Sequence, residues 1–251
     1  MEQDGIPPPN KPDHVFDIIK EQGLMATISL PILAPDRYHS IAQKYATQDV
    51  AEYLPPSMRQ PNVLAGQRVL QRILAREMLG KDMAFLNYIA GGPGPWAIAI
   101  GSKVTSRGTV TLNASDPEGE PAIDLRPLSN PIDIDLMIAC TKFFRTHYTR
   151  DLAEWNVTEI FPGSNVTTDA QFEKLIRNTY NPVAGHHFLG TAAKMPRHLG
   201  GVVDEELSVY GVKGLRVADA SIMPLLPSAA TQFSVYSIGE KAADLLKTKW
   251  R

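Results

Sequence analysis

Three short stretches near the carboxyl end hold residues whose types and spacing could do chemistry. The first is His186-His187-Phe188-Leu189-Gly190-Thr191. Neutral imidazole accepts a proton near pH 7, and taking hydride from an alcohol carbon requires the hydroxyl proton to leave as well. Gly190 lets the backbone pass close to a flat ring, and Thr191 supplies a hydroxyl. Paired histidines in a loop also serve as surface or structural residues, so spacing alone leaves both readings open. The second stretch is Gly214-Leu215-Arg216-Val217-Ala218-Asp219-Ala220-Ser221. Asp219 follows a β-prone run, where a carboxylate can accept hydrogen bonds from a ligand hydroxyl. It can equally cap the turn into Ser221-Ile222-Met223-Pro224. The third is Pro227-Ser228-Ala229-Ala230-Thr231-Gln232, which opens a helix with Val235, Ile238, Ala242 and Leu245 on one face. The amino end of such a helix favours anionic charge, while its apolar face can dock on a core.

A fourth stretch, Gly92-Pro93-Gly94-Pro95-Trp96-Ala97, matches G-x-G-x-x-A in form only. A dinucleotide loop opens a helix and presents backbone N–H groups to pyrophosphate. Here prolines remove two donors, and a β-prone run follows. The match is rejected.

The elements that must position these residues read as follows. Ala26–Leu33 is a short β-prone run broken by Pro31. Residues 35–60 hold a polar helical stretch and a proline-rich loop. From Asn62 to about Ile89, Leu64, Val69, Ile73, Met78 and Phe85 recur near helical spacing, with an interruption at Gly80. The period then changes to two in 97–104, 108–113 and 121–128, which predicts strands separated by turns. Asp133 is the expected N-cap of a helix to about Tyr148, with Leu136, Cys140, Phe143 and His147 on one face. Thr168-Asp169-Ala170-Gln171 is a capping-box pattern opening a helix to about Thr179. Gly200-Gly201 predicts a turn, and Gly211-Val212-Lys213-Gly214 a hairpin connection between 207–210 and 215–218. Strands in the middle, helices on either side and no βαβ alternation give an α+β fold, an antiparallel sheet with helices on one face.

Composition sets the outer bounds. The 251 residues are 43% hydrophobic and 21% charged, with net charge -2. That is enough chain for a sizeable core, and it gives no reason to expect nucleic acid or an anionic membrane as a partner. Cys140 is the single cysteine, so an internal disulfide and a cysteine-rich zinc site are both excluded. Within the apolar stretch around it, Cys140 reads as a core residue, and no metal is expected. No apolar run is long enough to span a bilayer, and the acidic, proline-rich start does not read as a secretory signal. The default expectation is therefore a cytoplasmic location.

His-x-x-Gly-Thr at 187–191, the box GLRVADASIMP at 214–224 and the following PSAATQ resemble the C-terminal signature of the glucose-methanol-choline (GMC) family of FAD-dependent oxidoreductases. Ser106-Arg107-Gly108-Thr109-Val110 is similar to that family's substrate-domain hairpins. The resemblance is strong over 187–246 and looser from about residue 14. It implies an irregular lead-in (1–14), a substrate-binding-domain-like region (15–186) and a segment that packs on an FAD domain (187–251). It implies FAD as cofactor, His187 as the catalytic base with His186 beside it, and Asp219, Ala220, Ala230 and Thr231 in contact with FAD. The implied reaction is oxidation of the CH–OH group of a small organic alcohol, aromatic or polyketide-like, by a dehydrogenase or oxidase of secondary metabolism.

Two features depart from the family. Ala230 stands where relatives carry a second histidine or an asparagine that helps hold the substrate oxygen. The Rossmann-type G-x-G-x-x-G fingerprint expected near the N-terminus is absent. A separate N-terminal FAD-binding half is thus an expected partner. A catalytically impaired homologue acting as an interaction domain, or a non-redox FAD-dependent cyclase-like relative, are the alternatives.

Overall fold

The computed structural model describes residues 24–90, 97–151, 153–155, 158–179 and 187–249. The lead-in at 1–14, the Gly-Pro turn at 91–96 and His186 lie outside the described residues.

Strands β1 (Leu24–Ser29), β2 (Ala84–Ala90) and β3 (Ala97–Gly101) form an antiparallel sheet in the order β1-β2-β3. Ile28 lies opposite Leu86, and Thr27 opposite Asn87. The run predicted to continue to Leu33 stops at Ser29, and Leu30–Leu33 forms one helical turn. Pro31 sits in the first turn of that helix, where its missing N–H costs nothing.

Helices α1 (Tyr38–Thr47) and α2 (Pro61–Glu77) pack with the sheet around Leu30, Ile41, Leu74, Met78, Phe85 and Leu86. Leu30 and Met78 are completely buried, and each such side chain contributes about 1.5–3 kcal/mol by leaving water. The helical spacing expected to run toward Ile89 ends at Glu77. Phe85 satisfies that period by coincidence and belongs to β2.

Strands β4 (Thr109–Thr111) and β5 (Ala122–Asp124) form the expected hairpin, but only as a three-residue ladder. Val110 and Ile123, paired in the ladder, are both exposed. With no layer of the described residues packed on it, this arm has little apolar burial to extend it.

Helix α3 (Pro131–Asp151) completes the main core through Ile132, Ala139 and Cys140. Its cap is not Asp133. Asn130 precedes the helix, and its Oδ1 accepts from the Ile132 N–H at 3.0 Å. Asp133 lies in the first turn and is buried. Its carboxylate accepts from the Thr105 N–H (2.7 Å), the Thr105 hydroxyl (2.8 Å) and the Ser106 N–H (2.9 Å). That contact joins residues far apart in sequence, so local spacing could not reveal it.

The capping box forms as expected at α4 (Asp169–Thr179). Thr168 N–H donates to Gln171 Oε1, and Gln171 N–H donates back to Thr168 Oγ1. Phe172 and Ile176 of α4 build a second small core with Leu128, Ile134 and Ile138.

The last helix, α5 (Gln232–Lys249), closes a third core. Ala242, Ile238 and Leu245 pack on Val203, Leu207 and Ile222, so the expected apolar face is the one used. The hairpin predicted over 207–218 survives as one isolated bridge, Ser208 to Arg216, while Val209 also bridges to Val203 outside it. Its turn has Gly211 at φ +80° and Gly214 at φ +79°, conformations that only glycine adopts without strain.

Candidate active site

The histidine segment is held against the Asp219 turn by backbone contacts. The Ala192 N–H donates to Ser221 O at 2.9 Å, and the Lys194 N–H donates to Ile222 O at 2.8 Å. On its other side, the Val202 N–H donates to Ala193 O at 2.9 Å. The 192–194 stretch is thus pinned between two others, and His187 emerges just before it as an exposed side chain.

Gly190 is the close approach. Its φ is +87°, and a Cβ there would lie 3.1 Å from Met223 O. The sequence suggested a glycine that lets the backbone pass close to a flat ring; the neighbour the structure gives it is the Met223 carbonyl of the SIMP loop.

Asp219 is an extended residue that caps the 3-10 turn Ala220–Ile222. Its Oδ1 accepts from the Ser221 N–H at 2.8 Å. The turn-capping alternative is therefore realised. The ligand alternative survives beside it, because Asp219 is exposed and its second carboxylate oxygen has no partner among the described residues.

Ile222 sits in the same core as Ile238 and Ala242, so the turn anchors α5. Ala230 and Thr231 lie at the entrance to that helix. Ala230 is exposed, Thr231 is buried, and Thr231 O accepts from the Val235 N–H at 3.0 Å. The stretch after His187 and the middle of α5 are thus both tied to the Ala220–Ile222 turn, the one through the Ala192 and Lys194 amides and the other through Ile238 and Ala242. Behind that turn lies a cleft of about 300 Å³ lined by Leu207, Ile222, Met223, Pro224 and Ile238.

Phe233 is 81% exposed and Tyr236 64%. Side chains of that size at one helix end mark a surface suited to a partner layer.

One residue of the site region gave no signal as chemistry in the sequence. Lys103, two residues after β3, is buried and donates to Leu226 O in the loop before Ala230. A lone lysine in a β-prone run carries no pattern that foretells burial. Among the described residues, no group of three or more His, Cys, Asp or Glu is placed to hold a metal ion. Among the described residues, no helix is long and apolar enough to cross a membrane.

The family model for GMC oxidoreductases matches residues 104–239, and the chain belongs to that family. Dehydrogenase xptC of Emericella nidulans is 37% identical over 211 residues, which cover 84% of this chain and 33% of that protein. An FAD-dependent oxidoreductase from Chaetomium thermophilum superposes with TM-score 0.84 at 30% identity, covering 90% of this chain and 39% of its own. A fungal aryl-alcohol oxidase also superposes with TM-score 0.84, at 34% identity over 90% of this chain and 38% of its own. The chain therefore spans about a third of the length of the curated relative, and little more of the solved structures.

Proposed function

We propose that the chain is the substrate-facing and C-terminal portion of an FAD-dependent enzyme that oxidises the CH–OH group of a small organic alcohol. The observation that carries this reading is the clamp of the histidine segment onto the Asp219 turn by the Ala192 and Lys194 amides.

The residues present fit a flavin. Asp219 keeps a free carboxylate oxygen suited to a ribityl hydroxyl. The entrance of α5 offers backbone N–H groups and the positive end of a helix dipole, which suit the anionic edge of a reduced isoalloxazine. Bound FAD would supply the hydride acceptor. His187 would take the hydroxyl proton of the alcohol on its imidazole. Thr231 and Ala220 would line the cofactor, and the exposed methyl of Ala230 would leave the base without a second polar group at that position. The substrate class is consistent with the aryl-alcohol oxidase among the structural relatives.

The exposed Phe233 and Tyr236 face is where a nucleotide-binding half would pack. A second reading, an interaction domain without catalysis, is favoured by one observation, the alanine at 230. The visible spectrum of the chain, purified alone and together with a nucleotide-binding half, separates the two: bound flavin in either preparation supports the enzyme, and none in both supports the interaction domain. In a flavin-loaded preparation, His187→Ala is expected to leave FAD bound and to slow flavin reduction by about 10²–10⁴-fold. An unchanged rate would remove His187 as the base.

A further inference from the structure

The loop from Pro224 to Ala230 delivers the entrance of α5 to the proposed cofactor face, yet almost nothing holds it. Pro224 and Pro227 have no N–H to donate. Among the described residues, one hydrogen bond reaches this loop, from Lys103 Nζ to Leu226 O. Lys103 is only 6% exposed, and the described residues offer it no carboxylate. An ammonium group carried so far out of water costs stability unless it is used.

The other end of this tie is rigid. Lys103 belongs to the β3–β4 connection, whose Thr105 and Ser106 are fixed by the buried Asp133 carboxylate. Ser106 Oγ in turn accepts from the Asn130 N–H, and Arg107 donates to Val104 O and Ser106 O. A continuous set of contacts thus runs from the amino end of α3, through residues 103–107, to Leu226.

We propose that Lys103 is a positioning residue whose buried ammonium fixes the Pro224–Ala230 loop, and with it Ala230 and Thr231, relative to the substrate-domain sheet. That the loop serves a flavin rests on the functional reading above; the mechanical role does not.

The test is ¹⁵N relaxation on the 251-residue chain. In the wild type, the amides of Leu225, Leu226, Ser228, Ala229 and Ala230 should show order parameters near about 0.85. In Lys103→Met they should drop below about 0.6, while those of α1 and α2 stay unchanged. Lys103→Arg, which keeps the charge and the donors, should stay close to wild type. If Lys103→Met does not fold, Lys103→Gln, with a shorter stem and one amide donor group, carries the same comparison. Unchanged loop order parameters in Lys103→Met would overturn the proposal. So would a uniform loss through α1 and α2, which would mean that the lysine supports the fold at large. If the loop loosens and the chain binds no flavin even when supplied with a nucleotide-binding half, the positioning role stands and the functional reading falls.

Discussion

Two helical glycines should respond to the same substitution with opposite signs. Gly66 lies inside α2 and Gly239 inside α5. By helix propensity alone, Gly→Ala stabilises either site by about 0.8–1 kcal/mol. At Gly239 a new Cβ meets nothing within 4 Å, so the gain should appear in full. At Gly66 the Cβ would lie 2.0 Å from Leu199 O and 2.9 Å from Leu199 C. Both are backbone atoms, which cannot swing aside. To reach the 3.0 Å below which Cβ contacts are not seen, α2 and the 197–199 turn must part by about 1 Å. Overpacking of this kind costs about 1–3 kcal/mol, occasionally more, which outweighs the propensity gain. At about 2–4 °C per kcal/mol for a chain of this size, Gly239→Ala should raise Tm by about 2–4 °C. Gly66→Ala should lower it by up to about 8 °C. Thermal unfolding followed by circular dichroism reads both. A Gly66→Ala chain as stable as Gly239→Ala would refute the packing argument, and with it the docking of the 195–201 loop on α2. That loop follows the histidine segment directly, so the same variant should also weaken any flavin binding.

Other consequences concern single residues. If Ala230 stands at the second catalytic position, as proposed, Ala230→His supplies the polar group there; turnover of a flavin-loaded preparation should rise by about tenfold or more, and a large fall would show that the alanine shapes a pocket. Burial pushes the Lys103 ammonium down from its ordinary 10.5 to about 8. Between those values the unfolded chain binds the extra proton, so this lysine's contribution to stability should rise as pH increases from about 8 toward 10.5. Urea titrations of wild type and Lys103→Met across that range should differ in slope, and parallel curves would contradict the shift. Burial also pushes the Cys140 thiol up to about 12. A disulfide reagent at pH 8 should therefore label the chain only on unfolding, and rapid native labelling would contradict the buried placement.

The capping box at Thr168–Gln171 was fully legible, because both of its hydrogen bonds close within four residues. The apolar face of α5 was legible for a similar reason: period 3.6 decides which side of a helix is buried, here through Ile238, Ala242 and Leu245. The signature at 187–224 pointed to the family, and family membership is what residues 104–239 bear out. Helix α2 was overrun because Phe85 fits a helical and a strand period equally well. Its place in β2 is settled by pairing with β1 and β3.

Asp133 was given the wrong job for a related reason. As an acidic residue near a helix start it has the form of a cap, but Asn130 takes that role and frees the carboxylate to hold Thr105 and Ser106. The contact of Gly66 with Leu199 and the reach of Lys103 to Leu226 are equally invisible in one dimension. The sequence by itself determined which residues can take a proton, cap a helix or face a core, because those properties belong to side chains and short periods. Only the tertiary structure decided which of them meet, because meeting depends on how distant segments pack.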